Sequence, residues 1–182
     1  MIRRSLSEPL TLQVGTTSRP HLLAELERGG VQLNASARIL LDDAVFDRPT
    51  PQSVTVVQRS LKELGLTAGA ALPLVFEAAQ DQGLDLCPAD TGPYLRLAWR
   101  TQPNAPDAIM SNGRAPTGSV TVAASVLRED DEYPKGFYLR VIDHTRWLRG
   151  YRCDLTYAWD ADDSFVFALS QSTDDLGSAV SR

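Results

Sequence analysis

The sequence predicts an α+β domain in which N-terminal helices pack on one face of a mainly antiparallel sheet built largely from the C-terminal half. Two observations predict this class. Apolar residues recur at helical spacing in the first half, whereas short alternating or β-branched stretches separated by polar turns fill the second half. The length of 182 residues suits one domain with its own core. We expect residues 1–169 to form that domain and residues 170–182 to be a disordered tail.

Two helices are expected before residue 50. The first begins at Ser18-Arg19-Pro20, where proline suits the first turn, and ends at Gly29-Gly30. The second begins at Asn34 or Ser36 and ends before Pro49, because proline disfavours helical geometry in the residue ahead of it.

A strand and two more helical segments follow. Residues 54–57 are largely β-branched and predict a strand. The capping-box pattern from Ser60 to Glu63 predicts a helix of one or two turns. The clearest helix of the chain runs from about Ala71 to Gln82, and Gly83 ends it.

The second half is expected to form an antiparallel meander preceded by a long loop. Alternation from Tyr94 to Arg100 predicts a half-buried strand, and the Pro- and Asn-rich residues 101–117 predict a long mobile loop. The remaining predicted strands are Ser119–Leu127, Phe137–Ile142, Arg152–Trp159 and Phe165–Leu169.

Charge and composition narrow the classes of partner. The net charge is −5, and four of the five excess negative charges lie in residues 151–182, which carry two basic and six acidic groups. An acidic chain does not attract nucleic acid or an anionic membrane surface, so neither is an expected partner. No apolar run is long enough to cross a membrane, and the start of the sequence lacks a secretory signal, so we expect a cytoplasmic protein. Sixteen of the 18 basic residues are arginines, typical of a GC-rich genome, and we expect a bacterial one.

The strongest local feature is a basic and aromatic stretch at residues 135–152. It predicts a ligand- or partner-binding surface, because arginine beside aromatic rings is common at interaction hot spots and around planar anions. The alternative is that these arginines form ion pairs with the acidic residues 129–132 and with Asp154, Asp160, Asp162 and Asp163. The candidate binding residues are Tyr138, Arg140, Trp147, Arg149 and Tyr151.

Motifs for catalysis and cofactors are absent from the sequence. There is no G-x-S-x-G, no phosphate-binding glycine loop and no Cys/His pattern of a zinc site, so neither a cofactor nor a metal is predicted. His21 and Glu25 stand at i, i+4, a spacing compatible with metal ligation but short of a metal motif. An enzyme would have to assemble its site from Cys87, Asp143, His144 and Arg149 around an anionic substrate.

The sequence therefore favours a non-catalytic binding domain for a protein partner or a small anionic ligand, with a homo-oligomer among the possible assemblies. Two alternatives stay open. One is the enzyme assembled from distant residues. The other is an acidic antitoxin or immunity-type protein, in which the acidic C-terminal end would bind a basic partner.

Overall fold

Four α-helices and ten strands are present in the computed structural model, which describes Leu6, residues 8–110 and residues 113–171. The helices are α1 (Arg19–Arg28), α2 (Ala35–Leu41), α3 (Leu72–Asp81) and α4 (Thr91–Ala98), and a 3₁₀ turn spans Ala44–Asp47. The strands are β1 (Leu10–Val14), β2 (Gln32–Leu33), β3 (Gln52–Ser60), β4 (Ala70–Ala71), β5 (Leu84–Asp85), β6 (Val120–Val122), β7 (Gly136–Ile142), β8 (Thr145–Tyr151), β9 (Ala158–Trp159) and β10 (Ser164–Leu169). Of the expected disordered tail, residues 172–182 lie outside the described residues.

One large sheet organises the chain, in the order β1-β3-β10-β6-β7-β8-β2, and β5 pairs with β10. Most of its pairs are antiparallel, while β10 with β6 and β2 with β8 are parallel. The α+β class is confirmed. The expected meander holds for β6, β7 and β8, but β10 returns to the middle of the sheet and pairs with both β3 and β6.

The sheet separates two apolar clusters because successive side chains of a strand point to opposite faces. Val166 packs in the cluster that includes α1, α2 and α4, and we name this side the three-helix face. Its neighbour Phe167 packs with α3 on the other side, which we name the α3 face. Of the N-terminal helices, α3 is thus the one that lies opposite the others.

Three helices and one strand begin or end where their sequence signals predict. Ser18 precedes α1, and the Asn34 side chain accepts a hydrogen bond of 2.8 Å from the backbone N–H of Ala37 at the start of α2. Gly83 follows α3 with a φ of +75°, a conformation that glycine adopts at little cost. Residues 54–57 lie within β3.

The predicted strand at Tyr94–Arg100 is wrong, because residues 91–98 form α4. Pro93 fits the first turn of this helix, and the buried residues Leu95, Arg96 and Trp99 recur at helical spacing. The alternating pattern counted Arg96 as an outward-facing polar residue, although its side chain is fully buried. Gly92 allows α4 to approach the sheet, since a Cβ there would lie 2.8 Å from Phe137.

The predicted strand at Arg152–Trp159 is also displaced. Asp143 and His144 have positive φ angles of 48° and 63°, which form a two-residue hairpin turn, so the chain re-enters the sheet at once as β8. Residues 154–157 instead form a turn in which the Asp154 carboxylate accepts the backbone N–H groups of Thr156 and Tyr157.

Three other predicted elements are shorter than expected. The capping box forms, with Glu63 accepting the Ser60 N–H at 2.7 Å, but residues 61–65 are turns rather than a helix. The second helix ends at Leu41, and the 3₁₀ turn replaces its last part. The strand expected over 119–127 is reduced to β6.

Candidate functional site

The hairpin of β7 and β8 brings all five candidate binding residues to the α3 face of the sheet. Its register places Tyr138 opposite Arg149, Arg140 opposite Trp147, and Gly136 opposite Tyr151. Directly opposed residues of antiparallel strands share one face. We name the set of Tyr138, Arg140, Trp147, Arg149 and Tyr151 the basic–aromatic face.

The long loop at residues 101–117 is anchored against β7. The backbone N–H of Ala105 donates to the Val141 carbonyl at 2.7 Å, and the Gln102 side chain donates to the Leu139 carbonyl at 3.0 Å. The described part of the loop then crosses the basic–aromatic face, where it contacts Arg140 and Arg149. This loop therefore covers part of the surface that the sequence predicted to bind a ligand.

Arg140 holds the loop in place. Its guanidinium donates to the backbone carbonyls of Thr117 at 2.9 Å, Asp107 at 2.8 Å and Ile109 at 3.2 Å. The Asp107 carboxylate lies 3.3 Å from Nη2 and balances the charge. Arg140 is fully buried, so in this conformation its charge is enclosed by the protein's own oxygens.

Arg149 differs from Arg140 in its electrostatic partners. Its Cζ lies 4.2 Å from the centroid of the Trp147 ring, a cation–π contact, and Nη1 contacts the Met110 sulfur. Its Nε atom is buried without a hydrogen-bond partner among the described residues. No described carboxylate lies within 4.0 Å of its guanidinium.

The acidic residues on either side of the hairpin do not neutralise this face. Within the described ranges, the hairpin arginines form no ion pair with the acidic residues that flank the hairpin, namely residues 129–132, Asp154, Asp160, Asp162 and Asp163. Lys135 instead donates to the backbone carbonyls of Arg128, Glu129 and Asp130 at 2.8 to 3.3 Å, so it closes the acidic loop. The alternative prediction, in which the flanking acidic residues form ion pairs with the hairpin arginines, therefore does not hold at Arg149 among the described residues.

The tyrosines of the basic–aromatic face belong to the core. Tyr138 is buried, and Tyr151 packs edge-on against Trp159 with ring centroids 5.5 Å apart. Burial raises the pKa of the Tyr151 hydroxyl, which stays protonated. Of the five candidates, Trp147 and Tyr151 are partly exposed, while Arg149 is 9% exposed at the edge of the surface; beside it, the loop residue Ile109 is 67% exposed and Met110 is 52% exposed.

Sequence reasoning offered the loop at 101–117 as a possible part of the binding surface but did not single out Ile109 and Met110 within it. A signal was present, because these two are consecutive large apolar residues within a loop that is otherwise rich in polar residues and proline. Their exposure depends on how the loop crosses the sheet, which local patterns do not encode.

The four residues of the possible enzyme site lie apart. Cys87 is buried on the three-helix face, whereas Arg149 is on the α3 face. Asp143 and His144 form the exposed hairpin turn, where the His144 backbone N–H donates to the Asn104 side chain at 3.0 Å. Desolvation raises the pKa of the Cys87 thiol to about 12, so at neutral pH it is protonated and a poor nucleophile.

His21 and Glu25 do meet on α1, with Nε2 and Oε1 3.5 Å apart. No group of three or more His, Cys, Asp or Glu side chains able to hold a metal occurs in the described part of the chain. Both residues line a groove between β1, α1 and α4. The sequence did not predict this groove, because residues 94–100 were expected to form a strand and not α4.

A second pair of arginines lies on the three-helix face. Arg96 donates to the Gln102 side chain at 2.6 Å and to the Trp99 carbonyl at 2.5 Å, and Arg146 donates to the Gly29 carbonyl at 2.5 Å. Both carbonyls lie just beyond helix C-termini, where the helix dipole favours a cation. Burial and the nearby Arg146 charge lower the pKa of Arg96 to about 10, which still leaves it charged at neutral pH.

Two further observations concern membrane-spanning helices and similarity to known proteins. No helix among the described residues combines the length and the apolar character that a membrane crossing requires. Comparison with protein-family models, with curated proteins and with solved structures finds no match to this chain.

Proposed function

We propose that this chain is a non-catalytic, cytoplasmic binding domain of bacterial type that recognises a protein partner at one end of the basic–aromatic face. The proposed contact residues are Trp147 and Arg149 of β8 with Ile109 and Met110 of the loop. One observation carries the proposal: Arg149 rests on Trp147 without a carboxylate partner among the described residues, next to two exposed apolar side chains.

This combination supports a protein partner because tryptophan and arginine are enriched at interface hot spots. An arginine without an internal counter-charge can donate hydrogen bonds to a carboxylate of a partner protein. The exposed Ile109 and Met110 side chains add apolar area beside that charge. We therefore expect the partner to present an acidic residue next to an apolar one.

The shape of the surface favours a protein over a small anion. Small-molecule sites are concave and bury most of their ligand. Two cavities of the described part of the chain are lined by other residues, one between β1, α1 and α4 and one around Lys135. A broad surface with one charged and several apolar contacts suits a folded partner, which includes a second copy of this chain.

The anchored loop supports the proposal energetically. Ordering a flexible segment on binding costs about 0.5–1.5 kcal/mol for each side chain that is immobilised. The hydrogen bonds of Arg140 hold the backbone at Asp107 and Ile109 before any partner arrives. The apolar contacts are therefore presented at a reduced entropic cost.

The acidic alternative remains a second proposal. Asp154, Asp160 and Asp162 are exposed carboxylates between β8 and β10, and they could bind a basic partner of the antitoxin or immunity kind. The two proposals use different surfaces and opposite charges, so one experiment separates them.

That experiment is affinity capture from a bacterial lysate followed by affinity measurement with the identified protein. We expect Arg149→Ala to weaken binding at least tenfold, equivalent to about 1.4 kcal/mol. The matched control is Arg152→Ala, an exposed arginine three residues further on, which should bind as the wild type does. Unchanged binding by Arg149→Ala with loss of binding by Asp160→Lys would instead establish the acidic proposal.

A further inference from the structure

Met110 lies at the edge of the basic–aromatic face and is open to solvent. The sequence has two methionines, and the other one, Met1, lies outside the described residues. The Met110 side chain is 52% exposed, so small molecules in solution can reach it. Peroxides convert an accessible methionine thioether to a sulfoxide. Met110 is therefore a position at which this chain can be modified.

Two guanidinium groups converge on the Met110 sulfur. Nη1 of Arg149 contacts it, and Nη1 of Arg140 lies 3.6 Å from it. A thioether sulfur is a weak hydrogen-bond acceptor. For Arg140 this matters little, because loop carbonyls and the Asp107 carboxylate accept its other hydrogen bonds. For Arg149 the weak acceptor stands where a strong one is missing.

The surroundings of Arg149 do not make up for this weak acceptor. The side chain is 9% exposed, and its Nε atom is buried without a hydrogen-bond partner among the described residues. No described carboxylate lies within 4.0 Å of its guanidinium. A charged donor that is largely removed from water gains more from a strong acceptor than an exposed donor does.

Oxidation of Met110 supplies a strong acceptor at this place. The O–O bond of the peroxide breaks as an S–O bond forms, so the sulfur is oxidised, the peroxide is reduced and its second oxygen leaves as water. The sulfoxide bond is polar, and its oxygen carries partial negative charge. Three rotatable bonds allow an oxygen that is added from the solvent side to turn toward the guanidinium of Arg149.

We infer that Met110 is an oxidation site whose sulfoxide oxygen accepts a hydrogen bond from Arg149 and fastens the loop to β8. The same hydrogen bond occupies the arginine that the partner contacts, so oxidation weakens partner binding. The effect on the loop needs no partner, whereas the effect on binding rests on the proposed function. Sulfoxide reductases remove the oxygen again, so the modification is reversible.

The test is limited proteolysis of the full chain before and after treatment with hydrogen peroxide. Peptide mapping by mass spectrometry should place one added oxygen atom on Met110. We expect cleavage within residues 105–117 to slow about tenfold, because a hydrogen bond to a charged group stabilises by an amount that corresponds to about this factor. Treatment with sulfoxide reductases should restore the original rate.

Three variants separate this effect from other consequences of peroxide. Met110→Leu keeps both cysteines and Met1, so peroxide should leave its cleavage rate unchanged if Met110 is the residue responsible. Arg149→Ala is oxidised at Met110 but lacks the donor, so its oxidised and reduced forms should be cleaved at nearly equal rates. Met110→Gln carries an amide oxygen where the sulfoxide has its own, and it should be cleaved slowly without peroxide.

Binding of the captured partner is the second readout. The oxidised wild type should bind about tenfold more weakly than the reduced protein, as expected for Arg149→Ala, and peroxide should not change binding by Met110→Leu. The inference is overturned if peroxide does not oxidise Met110, if cleavage of the oxidised wild type is unchanged or faster, or if Arg149→Ala is slowed equally. Slower cleavage with unchanged binding would leave the sulfoxide contact standing and overturn the Trp147–Arg149 surface as the binding site.

Discussion

The two arginines of the basic–aromatic face occupy neighbouring strands and differ in what surrounds their charge. Arg140 is enclosed, because three loop carbonyls and the Asp107 carboxylate accept its hydrogen bonds. Arg149 lies against a tryptophan ring and a methionine sulfur, with no described carboxylate within 4.0 Å. The comparison shows that the residue type alone does not identify a binding site. The partners that already neutralise a charge decide whether it is structural or available to a ligand.

The largest expected effect is on stability, at the enclosed end of this face. Arg140→Ala leaves the carbonyls of Asp107, Ile109 and Thr117 without their donor, and we expect a loss of about 3 kcal/mol in the free energy of unfolding. Denaturant titration measures the loss, and limited proteolysis should show faster cleavage within 105–117. A stability equal to that of the wild type would show that the loop does not depend on Arg140.

Arg149→Ala should lose less stability and more binding than Arg140→Ala. We expect the free energy of unfolding to fall by about 2 kcal/mol, less than at Arg140, because a desolvated cation–π contact contributes about that much. Partner binding should fall at least tenfold. The same denaturant titration makes the comparison, and a loss as large as that of Arg140→Ala would show that Arg149 is structural as well.

A smaller effect is expected at the exposed rim. Ile109→Ser removes an apolar side chain that is 67% exposed, so the free energy of unfolding should stay within about 0.5 kcal/mol of the wild type. Binding of the captured partner should weaken a few-fold as apolar contact is lost. Calorimetric titration checks this, with Leu74→Ser as the control because Leu74 is an exposed apolar residue on α3. Equal binding by Ile109→Ser and the wild type would remove the loop from the interface.

The smallest expected effect is a difference in acid stability. Hydrogen bonds from the Thr117 hydroxyl and the Ile109 backbone N–H, together with the nearby Arg140 charge, hold the pKa of Asp107 below its ordinary value of 3.8. A carboxyl whose pKa is lower in the folded state stabilises the fold above its ordinary pKa, and this contribution is lost as the pH falls through the folded-state value. Wild-type stability should therefore decline more steeply below pH 3.8 than that of Asp107→Asn. Parallel declines, measured by denaturant titration at each pH, would show that Asp107 is not linked to folding.

Local signals in the sequence predicted much of the fold. Proline and glycine placed the ends of α1 and α3, and the Asp143-His144 turn and the strand at 137–142 set the register that unites the five candidate residues. Local signals failed for α4. If the buried Arg96 is counted as exposed, polar and apolar residues alternate over 94–100, and this pattern fits a strand as well as a helix.

The candidate site was also predicted only in part, because local patterns do not show which distant segments contact it. Periodicity indicates which residues share a face, but not which distant segment covers them. The loop residues that enclose Arg140 lie 23 to 33 positions earlier in the chain, and no local pattern links them to it. Arg140 has a carboxylate partner, and Arg149 has none among the described residues. This distinction therefore required the three-dimensional structure.

The most direct test of the proposed function is backbone hydrogen–deuterium exchange of the full chain with and without the captured partner. We predict slower exchange at residues 109–110 and 146–150 in the complex, with unchanged exchange in α1 and α4. Protection confined to the turns around Asp154 and Asp160, or absent from both the loop and β8, would contradict the assignment of the Trp147–Arg149 surface as the binding site.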